Sequence, residues 1–389
     1  MKLQTTSPDQ PGLLPAFYDV PDNMVAGEPG SIIKLEKVDA LEEVSAWRVI
    51  YRSQTAAGIP VPVSGLIVAP KSARPGANLP VVSWAHGTVG AARYCAPSNV
   101  PNPVSDFVGY PSFESTVPND YGIPGLSAFL KAGYVVVATD YQGLGAGQNH
   151  EYIVGLSQAQ NALDIVRAVR TMTQIGASNR VAVLGWSQGG LATLIAGENA
   201  SYAPDLDIVG VAALAPANPA TFLIPEISKQ STGGPRTGRN ILLVRAYTWA
   251  YPDLQLSDLL TDIGIEAAKA ASRQGIQQLA ISGDAAGGLP VLFKTNTNPA
   301  AWAARFTENA PGKKVSQAPV LVMQGTADNI VPQASTDLYV SEACKSSSRV
   351  SYIKYPQIDH RGLLKAAESD FTTWIASRFA NEPAPSDCQ

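Results

Sequence analysis

The chain has 389 residues, of which 45% are hydrophobic and 15% are charged, against roughly 25% charged residues in typical soluble proteins. This length and apolar content suffice for one large core with an insertion, or for two domains. The net charge of −4 and the lack of a Lys/Arg cluster argue against a nucleic-acid-binding surface. The small charged fraction, with 33 glycines and 30 prolines, is typical of a loop-rich extracytoplasmic protein.

The sequence indicates the cellular location of the protein less clearly. No run approaches the ~20 apolar residues of a membrane helix, and the N-terminus lacks a hydrophobic signal core. We expect a secreted or periplasmic protein in its mature form, with a cytoplasmic location left open. The three cysteines, Cys95, Cys344 and Cys388, are too few for a disulfide scaffold and lack metal-type spacing. Several pairings stay open, and one of them, Cys344 with Cys388, would attach the C-terminal tail to the body.

The chain begins with a proline-rich, aperiodic segment, residues 1–30, which predicts a surface arm. Strand candidates follow at 46–54, 61–69 and 80–85. Because short links join them, we predict that these early strands form an antiparallel beginning of the sheet.

From residue 133 onward, buried strands alternate with helices. Apolar runs predict strands, and apolar residues spaced by three and four predict amphipathic helices. The strands are predicted at 134–139, 181–186, 208–214, 319–324 and 350–355, and the helices at 155–174, 191–198, 333–343 and 363–379. This alternation predicts an α/β fold with a mainly parallel sheet and helices on both faces.

Residues 217–314 interrupt the alternation with helical patterns at 256–264 and 265–279 and with glycine- and proline-rich joints such as 233–235. We interpret this interval as a helical cap inserted before the strand predicted at 319–324, which precedes the candidate catalytic acid. The predicted domains are an arm (1–30), a core in two parts (31–216 and 315–380), the cap (217–314) and a tail (381–389).

The strand at 181–186 ends in a G-x-S-x-G pentapeptide centred on Ser187, and a helix follows at once. This is the strand, tight turn and helix of a nucleophile elbow. The serine sits on a strained turn, so its neighbours must be small, and Gly185 and Gly189 meet that need. The sequence therefore predicts a catalytic serine.

A serine hydroxyl needs a base, and the base needs a carboxylate that fixes its tautomer. The chain has three histidines. His360 follows the strand at 350–355, where the base belongs if the triad runs Ser, Asp, His along the chain. Asp328 follows the strand at 319–324 and is our choice of acid. Asp359 is the competitor, but adjacent side chains in a loop seldom face each other.

The oxyanion hole is predicted at the backbone N–H groups of Thr88 and Gln188. Thr88 lies in a loop after an early strand, and Gln188 follows the serine. We expect His86 to hold that loop and His150 to have a pocket or structural role. Asp140 is expected to order the loop at 141–145 by hydrogen bonds.

Other chemistries match poorly. The glycines at 143–147 suggest a dinucleotide loop, but Gln148 stands where the third glycine is required. The sequence contains neither a phosphate-binding P-loop nor a C-x-x-C motif, and no histidine pair has the helical spacing of a zinc site. We therefore expect no cofactor and no metal.

Together these blocks resemble the α/β-hydrolase superfamily and, within it, the secretory lipase (LIP) family of fungal lipase A enzymes and their bacterial relatives. The resemblance covers about residues 60 to 380. It rests on the segments 86–88, 139–145, 150–155, 185–190, 325–328 and 359–360. It implies a carboxylic-ester hydrolase of the esterase or triacylglycerol lipase type, usually secreted, with a helical cap. Trp186 departs from the family pattern, in which tyrosine is common.

We expect small-molecule or lipid esters as substrates, with transient contact with lipid interfaces and no nucleic acid. The oligomeric state stays open. Aromatic and aliphatic residues of the cap are candidates for an acyl pocket or, more simply, for the cap's own core: Phe222, Leu223, Trp249 and Trp302. Two alternatives remain, a serine peptidase or amidase of the same fold and a non-catalytic ligand-binding protein.

Overall fold

The computed structural model describes residues 14–40, 44–110, 112–221, 235–285, 288–295, 297 and 299–388. Its centre is a nine-stranded sheet in the order β1-β2-β3-β5-β4-β6-β7-β8-β9. The strands are β1 (Ile32–Val38), β2 (Ser45–Gln54), β3 (Pro60–Ala69), β4 (Leu79–Ala85), β5 (Val135–Thr139), β6 (Ala177–Trp186), β7 (Asp207–Leu214), β8 (Val320–Gly325) and β9 (Val350–Tyr355).

The sheet begins antiparallel and continues parallel. β1, β2 and β3 pair antiparallel, and β3 pairs antiparallel with β5. From β5 through β4, β6, β7 and β8 to β9 every pairing is parallel. The predicted antiparallel beginning is therefore confirmed for 46–54 and 61–69 but wrong for 80–85. That strand, β4, lies between β5 and β6 and pairs parallel with both, because the connection from β4 to β5, residues 86–134, is long enough for a crossover.

The predicted helices on both faces are confirmed. Successive strand residues alternate between two apolar layers: Val81 and Val183 belong to one, and Val82 and Leu184 to the other. The first layer packs against α2 (Gly155–Thr171) and α3 (Gln188–Glu198). The helices that complete the two layers are α1 (Leu126–Lys131), α10 (Gln333–Lys345), α11 (Gly362–Ala366) and α12 (Glu368–Phe379). The single helix predicted at 363–379 is thus two helices, which meet at Ala367.

The chain between β7 and β8 forms the inserted helices α4 (Pro235–Ala250), α5 (Leu256–Leu259), α6 (Asp262–Ala271), α7 (Ile276–Ala285), α8 (Leu289–Leu292) and α9 (Ala300–Glu308). The predicted helices at 256–264 and 265–279 are wrong in their bounds. α6 begins at Asp262, where the Thr261 hydroxyl accepts a hydrogen bond from the Gly264 N–H, and residues 272–275 separate α6 from α7. Phe222 and Leu223 lie outside the described residues. The division into core and cap stays a prediction.

Both ends of the described chain lie against the body. Tyr18, in a 3-10 helix at Ala16–Tyr18, is buried and its hydroxyl bonds that of Ser98. At the other end, Cys388 forms a disulfide with Cys344 of α10. Of the pairings that the sequence left open, this is the one that attaches the tail to the body. Cys95 is a free, buried thiol. None of the described helices is long and apolar enough to cross a membrane.

Candidate active site

The strand register brings the predicted catalytic loops together. In the parallel part of the sheet, Ala85 of β4 pairs with Gly185 of β6, and Gly325 of β8 pairs with Tyr355 of β9. Carboxyl ends of parallel strands meet at one edge of the sheet, where α/β proteins place their sites. The segments that contain Thr88, Ser187, Asp328 and His360 therefore all leave the sheet at this edge.

Ser187 occupies a sharp turn between β6 and α3. Its backbone has φ 58° and ψ −114°, a sparsely populated conformation that costs roughly 1–3 kcal/mol and persists only where the surroundings enforce it. Here the Ser187 N–H donates to the Leu214 carbonyl at 2.9 Å, and the Ser187 carbonyl accepts from the Ala217 N–H at 2.9 Å. Neighbouring β7 and the chain that follows it thus hold the elbow in place.

The two glycines of the pentapeptide are required by close backbone contacts. A Cβ atom at Gly185 would overlap the Gly189 carbonyl, and one at Gly189 would overlap the carbonyl of Ala85 at the end of β4. The start of α3 therefore packs directly against the loop that contains Thr88, which is why the sequence places small residues on both sides of the serine.

His360 and Asp328 are hydrogen-bonded. The His360 Nδ1–H donates to Asp328 Oδ2 at 2.6 Å, and both side chains are nearly inaccessible to solvent. Asp328 Oδ1 accepts the backbone N–H groups of Ile330 and Val331, each at 2.8 Å. With the carboxylate fixed and Nδ1 carrying the proton, the Nε2 atom of His360 is left as the acceptor.

Asp359, the competing acid, points elsewhere. Its Oδ1 accepts the Gly362 N–H at 2.7 Å at the start of α11, so it caps a helix and does not face the imidazole. The acid loop and the histidine loop are in contact as well: the Ala327 N–H donates to the Ile358 carbonyl at 3.0 Å. A Cβ at Gly325 would overlap that carbonyl.

The histidine loop rests on the elbow. The Trp186 indole N–H donates to the His360 carbonyl at 3.1 Å, and the two rings lie 4.8 Å apart between centroids. Arg361 forms an ion pair with buried Asp120 at 3.1 Å.

The Ser187 hydroxyl makes no hydrogen bond with any described residue. The hydrogen bond between a catalytic serine and its base is often long in an enzyme without substrate, and it shortens when substrate binds.

The two predicted oxyanion amides have no acceptor among the described residues. Neither the Thr88 N–H nor the Gln188 N–H donates a hydrogen bond within the described part of the chain. Both residues are held through their side chains. The Thr88 hydroxyl bonds the Tyr152 hydroxyl at 2.9 Å, and the Gln188 Nε2–H donates to His150 Nε2 at 3.1 Å.

His150 and His86 are buried supports for this region. His150 Nδ1–H donates to the Gln142 carbonyl at 2.9 Å, which leaves Nε2 to accept from Gln188. His86 lies between the carbonyls of Gly87 and Asp140, at 2.6 and 3.2 Å from its ring nitrogens. Burial lowers the pKa of each histidine to about 4. Both are therefore neutral near pH 7. His86 contacts its own loop, and His150 does not line the Ser187 pocket but bonds Gln142 and Gln188.

Asp140 does not act as we expected. Its carboxylate accepts hydrogen bonds from the backbone and hydroxyl of Ser98 and from the Ser64 hydroxyl. Ser64 in turn donates to the Leu144 carbonyl and accepts from the Ala146 N–H. The carboxylate thus reaches the loop at 141–145 only through a serine. Burial raises the pKa of Asp140 to about 6.

Ser187 opens into a narrow pocket of about 40 Å³ that α4 covers on one side. Apolar groups predominate in its lining, with Arg239 and Asn240 of α4 as the polar additions. The lining residues are Thr88, Tyr152, Ile153, Ser187, Ala217, Arg239, Asn240, Leu243, Ile330 and Val331. Sequence reasoning missed Tyr152 and the α4 residues. Tyr152 lies two positions after His150, in a segment that the family resemblance had already marked.

Trp249 and Trp302, the acyl-pocket candidates that the structure describes, do not line this pocket. Trp302 is fully buried and packs near Phe306 within the inserted helices, so the simpler core interpretation applies to it. The Trp249 ring lies under the Arg245 guanidinium. Among the described residues, no cluster of three or more His, Cys, Asp or Glu side chains could hold a metal.

Known proteins resemble this chain over nearly its whole length. Lipase A of Moesziomyces aphidis is 24% identical over 372 residues, which are 88% of this chain and 75% of that protein. A Mycobacterium tuberculosis protein named as a probable inactive lipase is 23% identical over 394 residues, 95% of this chain and 84% of its own length.

The fold is shared with solved structures. Candida antarctica lipase A in its closed state superposes with a TM-score of 0.77 at 22% identity, over 98% of this chain and 88% of that one. The structure therefore has the α/β-hydrolase fold. The family model described as secretory lipase matches residues 110–286 and 297–387, more than half of the chain. The protein belongs to the secretory lipase family.

Proposed function

We propose that the protein is a serine carboxylic-ester hydrolase that forms an acyl-enzyme on Ser187. The observation that carries the proposal is the His360–Asp328 hydrogen bond of 2.6 Å, on a loop that the Trp186 indole holds against the elbow. Family membership supports a lipase-type hydrolase. The roles of individual residues are our inference from this geometry.

In the proposed reaction, an ester enters the pocket and the Ser187 hydroxyl attacks its carbonyl carbon while His360 Nε2 accepts the hydroxyl proton. Asp328 holds the imidazole in the correct tautomer and stabilises the imidazolium. His360 then donates the proton to the leaving alcohol. Water attacks the acyl-enzyme in the same way, the acid leaves and Ser187 regains its proton.

The Thr88 and Gln188 amides would bind the oxygen on which negative charge develops. Loss of one such donor typically costs about 10²–10³-fold in kcat. The proposal is supported by two observations: neither N–H group donates to a described residue, and each residue is held by a side-chain hydrogen bond, Thr88 by Tyr152 and Gln188 by His150.

The substrate class follows from the pocket and the family. The lining beside Ser187 is mainly apolar, which favours an uncharged acyl group at the serine, and we propose small-molecule or lipid esters. Ile263 and Ile281 on the inserted helices are 60% and 62% exposed. These side chains support transient contact with a lipid interface, and α4 against the pocket supports a cap role for the insertion. The family's description as secretory supports an extracellular location.

The M. tuberculosis relative that is named probably inactive makes a direct test necessary. Wild type and Ser187→Ala are to be assayed on p-nitrophenyl esters of increasing chain length and on an aminoacyl anilide. We expect ester hydrolysis that Ser187→Ala lowers about 10⁴-fold or more, with the unfolding temperature retained. Anilide hydrolysis faster than ester hydrolysis would favour the peptidase alternative. A wild type without activity on either would favour the non-catalytic one.

A further inference from the structure

A second cleft, of about 280 Å³, lies apart from the Ser187 pocket and shares none of its lining residues. One wall is α4, with Arg245 and Trp249. The other walls are the turn after α6, with Arg273, and the loops that contain Arg93 and Gln148. The space is large enough for several waters or one phosphate-sized ion.

Three arginines line the cleft, and two of them, Arg245 and Arg273, have no acid partner among the described residues, whereas Arg93 pairs with Asp19 at 3.4 Å. Neither Arg245 nor Arg273 forms an ion pair or a side-chain hydrogen bond within the described part of the chain. The Arg245 Nε atom is buried without an acceptor. Burial, and secondly the charge of Arg273, lower the pKa of Arg245. Two like charges beside one cleft repel each other, and a buried N–H without an acceptor adds a desolvation cost.

The arginines are also positioned in advance. The Arg245 guanidinium lies 4.6 Å above the centroid of the Trp249 ring, which limits its rotamers. Arg93 is held by the carbonyls of Gly145 and Tyr18, at 2.8 and 3.0 Å. A fixed guanidinium loses little entropy when it binds an oxyanion, which it can contact with two parallel N–H bonds.

We propose that this cleft binds a phosphate group, either as free phosphate or as the phosphomonoester headgroup of a lipid. A phosphate oxygen would satisfy Arg245 Nε, and a dianion would neutralise the repulsion between Arg245 and Arg273. The inference does not depend on the esterase proposal. His150 lines the cleft and also bonds Gln188, so binding is a cleaner readout than turnover.

The test is calorimetric titration of the full-length protein with inorganic phosphate at low ionic strength. The double variant Arg245→Gln/Arg273→Gln keeps long polar side chains and removes both charges. Arg74→Gln is the matched control, because Arg74 is exposed and its side chain, within the described part of the chain, bonds the carbonyl of Ser72 alone. We expect saturable binding in wild type and in the control, and at least tenfold weaker binding in the double variant. Equal binding in all three proteins, or no binding below about 10 mM in wild type, would overturn the proposal.

Thermal unfolding gives a second, independent readout. Without phosphate, Arg273→Gln should unfold at a higher temperature than wild type, because a repulsion is removed. Added phosphate should raise the wild-type unfolding temperature more than that of the variant. A variant that is less stable without phosphate and equally stabilised by it would contradict the proposal. If monomeric dihexanoyl-phosphatidate binds more tightly than phosphate, the ligand is the lipid headgroup. If phosphate binds more tightly, the ligand is the free ion.

Discussion

The indole N–H of Trp186 donates a hydrogen bond to the carbonyl of His360 at 3.1 Å. The residue that precedes the elbow serine thus holds the loop of the candidate base, although 174 residues separate the two in the chain. Gly87 packs against the same indole, and a Cβ there would overlap its six-membered ring. One side chain therefore links the turn at Ser187, the loop that contains Gly87 and the loop that contains His360.

Asp328→Asn should lower kcat by about 10⁴-fold while the fold is retained, since an amide would favour the wrong imidazole tautomer. The matched control is Asp359→Asn, which changes only an exposed helix cap and should leave kcat close to that of wild type. Both variants are to be compared by steady-state kinetics on a soluble ester. If Asp359→Asn proved the more damaging change, the assignment of the acid would be wrong.

His150→Phe keeps the ring volume but removes the acceptor for Gln188 Nε2–H. We expect kcat to fall by about tenfold or more with little change in KM, because the Gln188 amide would bind charge that develops only in the transition state. The two constants are to be measured together with the unfolding temperature. A variant that loses stability but keeps its kcat would show that His150 serves packing alone.

Glu198, the last residue of α3, gives a prediction about pH. It is buried, and its Oε1 accepts the Gly312 N–H at 2.6 Å. Burial raises the pKa of Glu198 from 4.5 to about 7. The folded state therefore binds the proton more tightly than the unfolded chain, so this contribution to stability is complete below pH 4.5 and is lost as pH rises through 7.

Glu198→Gln keeps the acceptor and removes the ionisation. Relative to wild type, its unfolding temperature should rise by a few degrees at pH 8 and change little at pH 4.5. Glu308→Gln is the control, since Glu308 is exposed and pairs with Arg305, and it should show no such pH-dependent difference. A Glu198→Gln advantage that is equal at both pH values would contradict the account.

The Cys344–Cys388 disulfide joins α10 to the tail, whose Asp387 N–H also donates to the Val350 carbonyl of β9 at 2.7 Å. Cys388→Ser should lower the free energy of unfolding by about 2–4 kcal/mol with kcat little changed. Denaturant titration of the variant and of reduced wild type should give the same midpoint. Separate midpoints would indicate that the substitution acts by something other than loss of the bond.

Most of the fold could be predicted from buried strands, and the exceptions have physical reasons. β1 was missed because three charged residues, Lys34, Glu36 and Lys37, interrupt its apolar pattern; an edge strand tolerates such charges and uses them against aggregation. α4 was missed because Pro235 was interpreted as a joint, whereas proline is favoured in the first turn of a helix.

The candidate site could be predicted where chemistry limits the choices. The chain has three histidines, and one of them follows the last strand, so few residues could be the base. The candidate acid and the Thr88 amide were then chosen because each lies in a loop that follows a strand. The pocket walls could not be predicted in this way. Leu243 and Trp249 both belong to α4, yet only Leu243 lines the pocket beside Ser187, because the orientation of the helix, and not its composition, decides which residues face the serine.

The central claim, that Ser187 is a nucleophile activated by His360, is tested most directly by intact-protein and peptide mass spectrometry after treatment with a fluorophosphonate. We predict one adduct, located on Ser187, which is absent in Ser187→Ala and forms at least 10³-fold more slowly in His360→Ala. A folded wild type that stays unlabelled, or that is labelled equally fast without His360, would contradict the account.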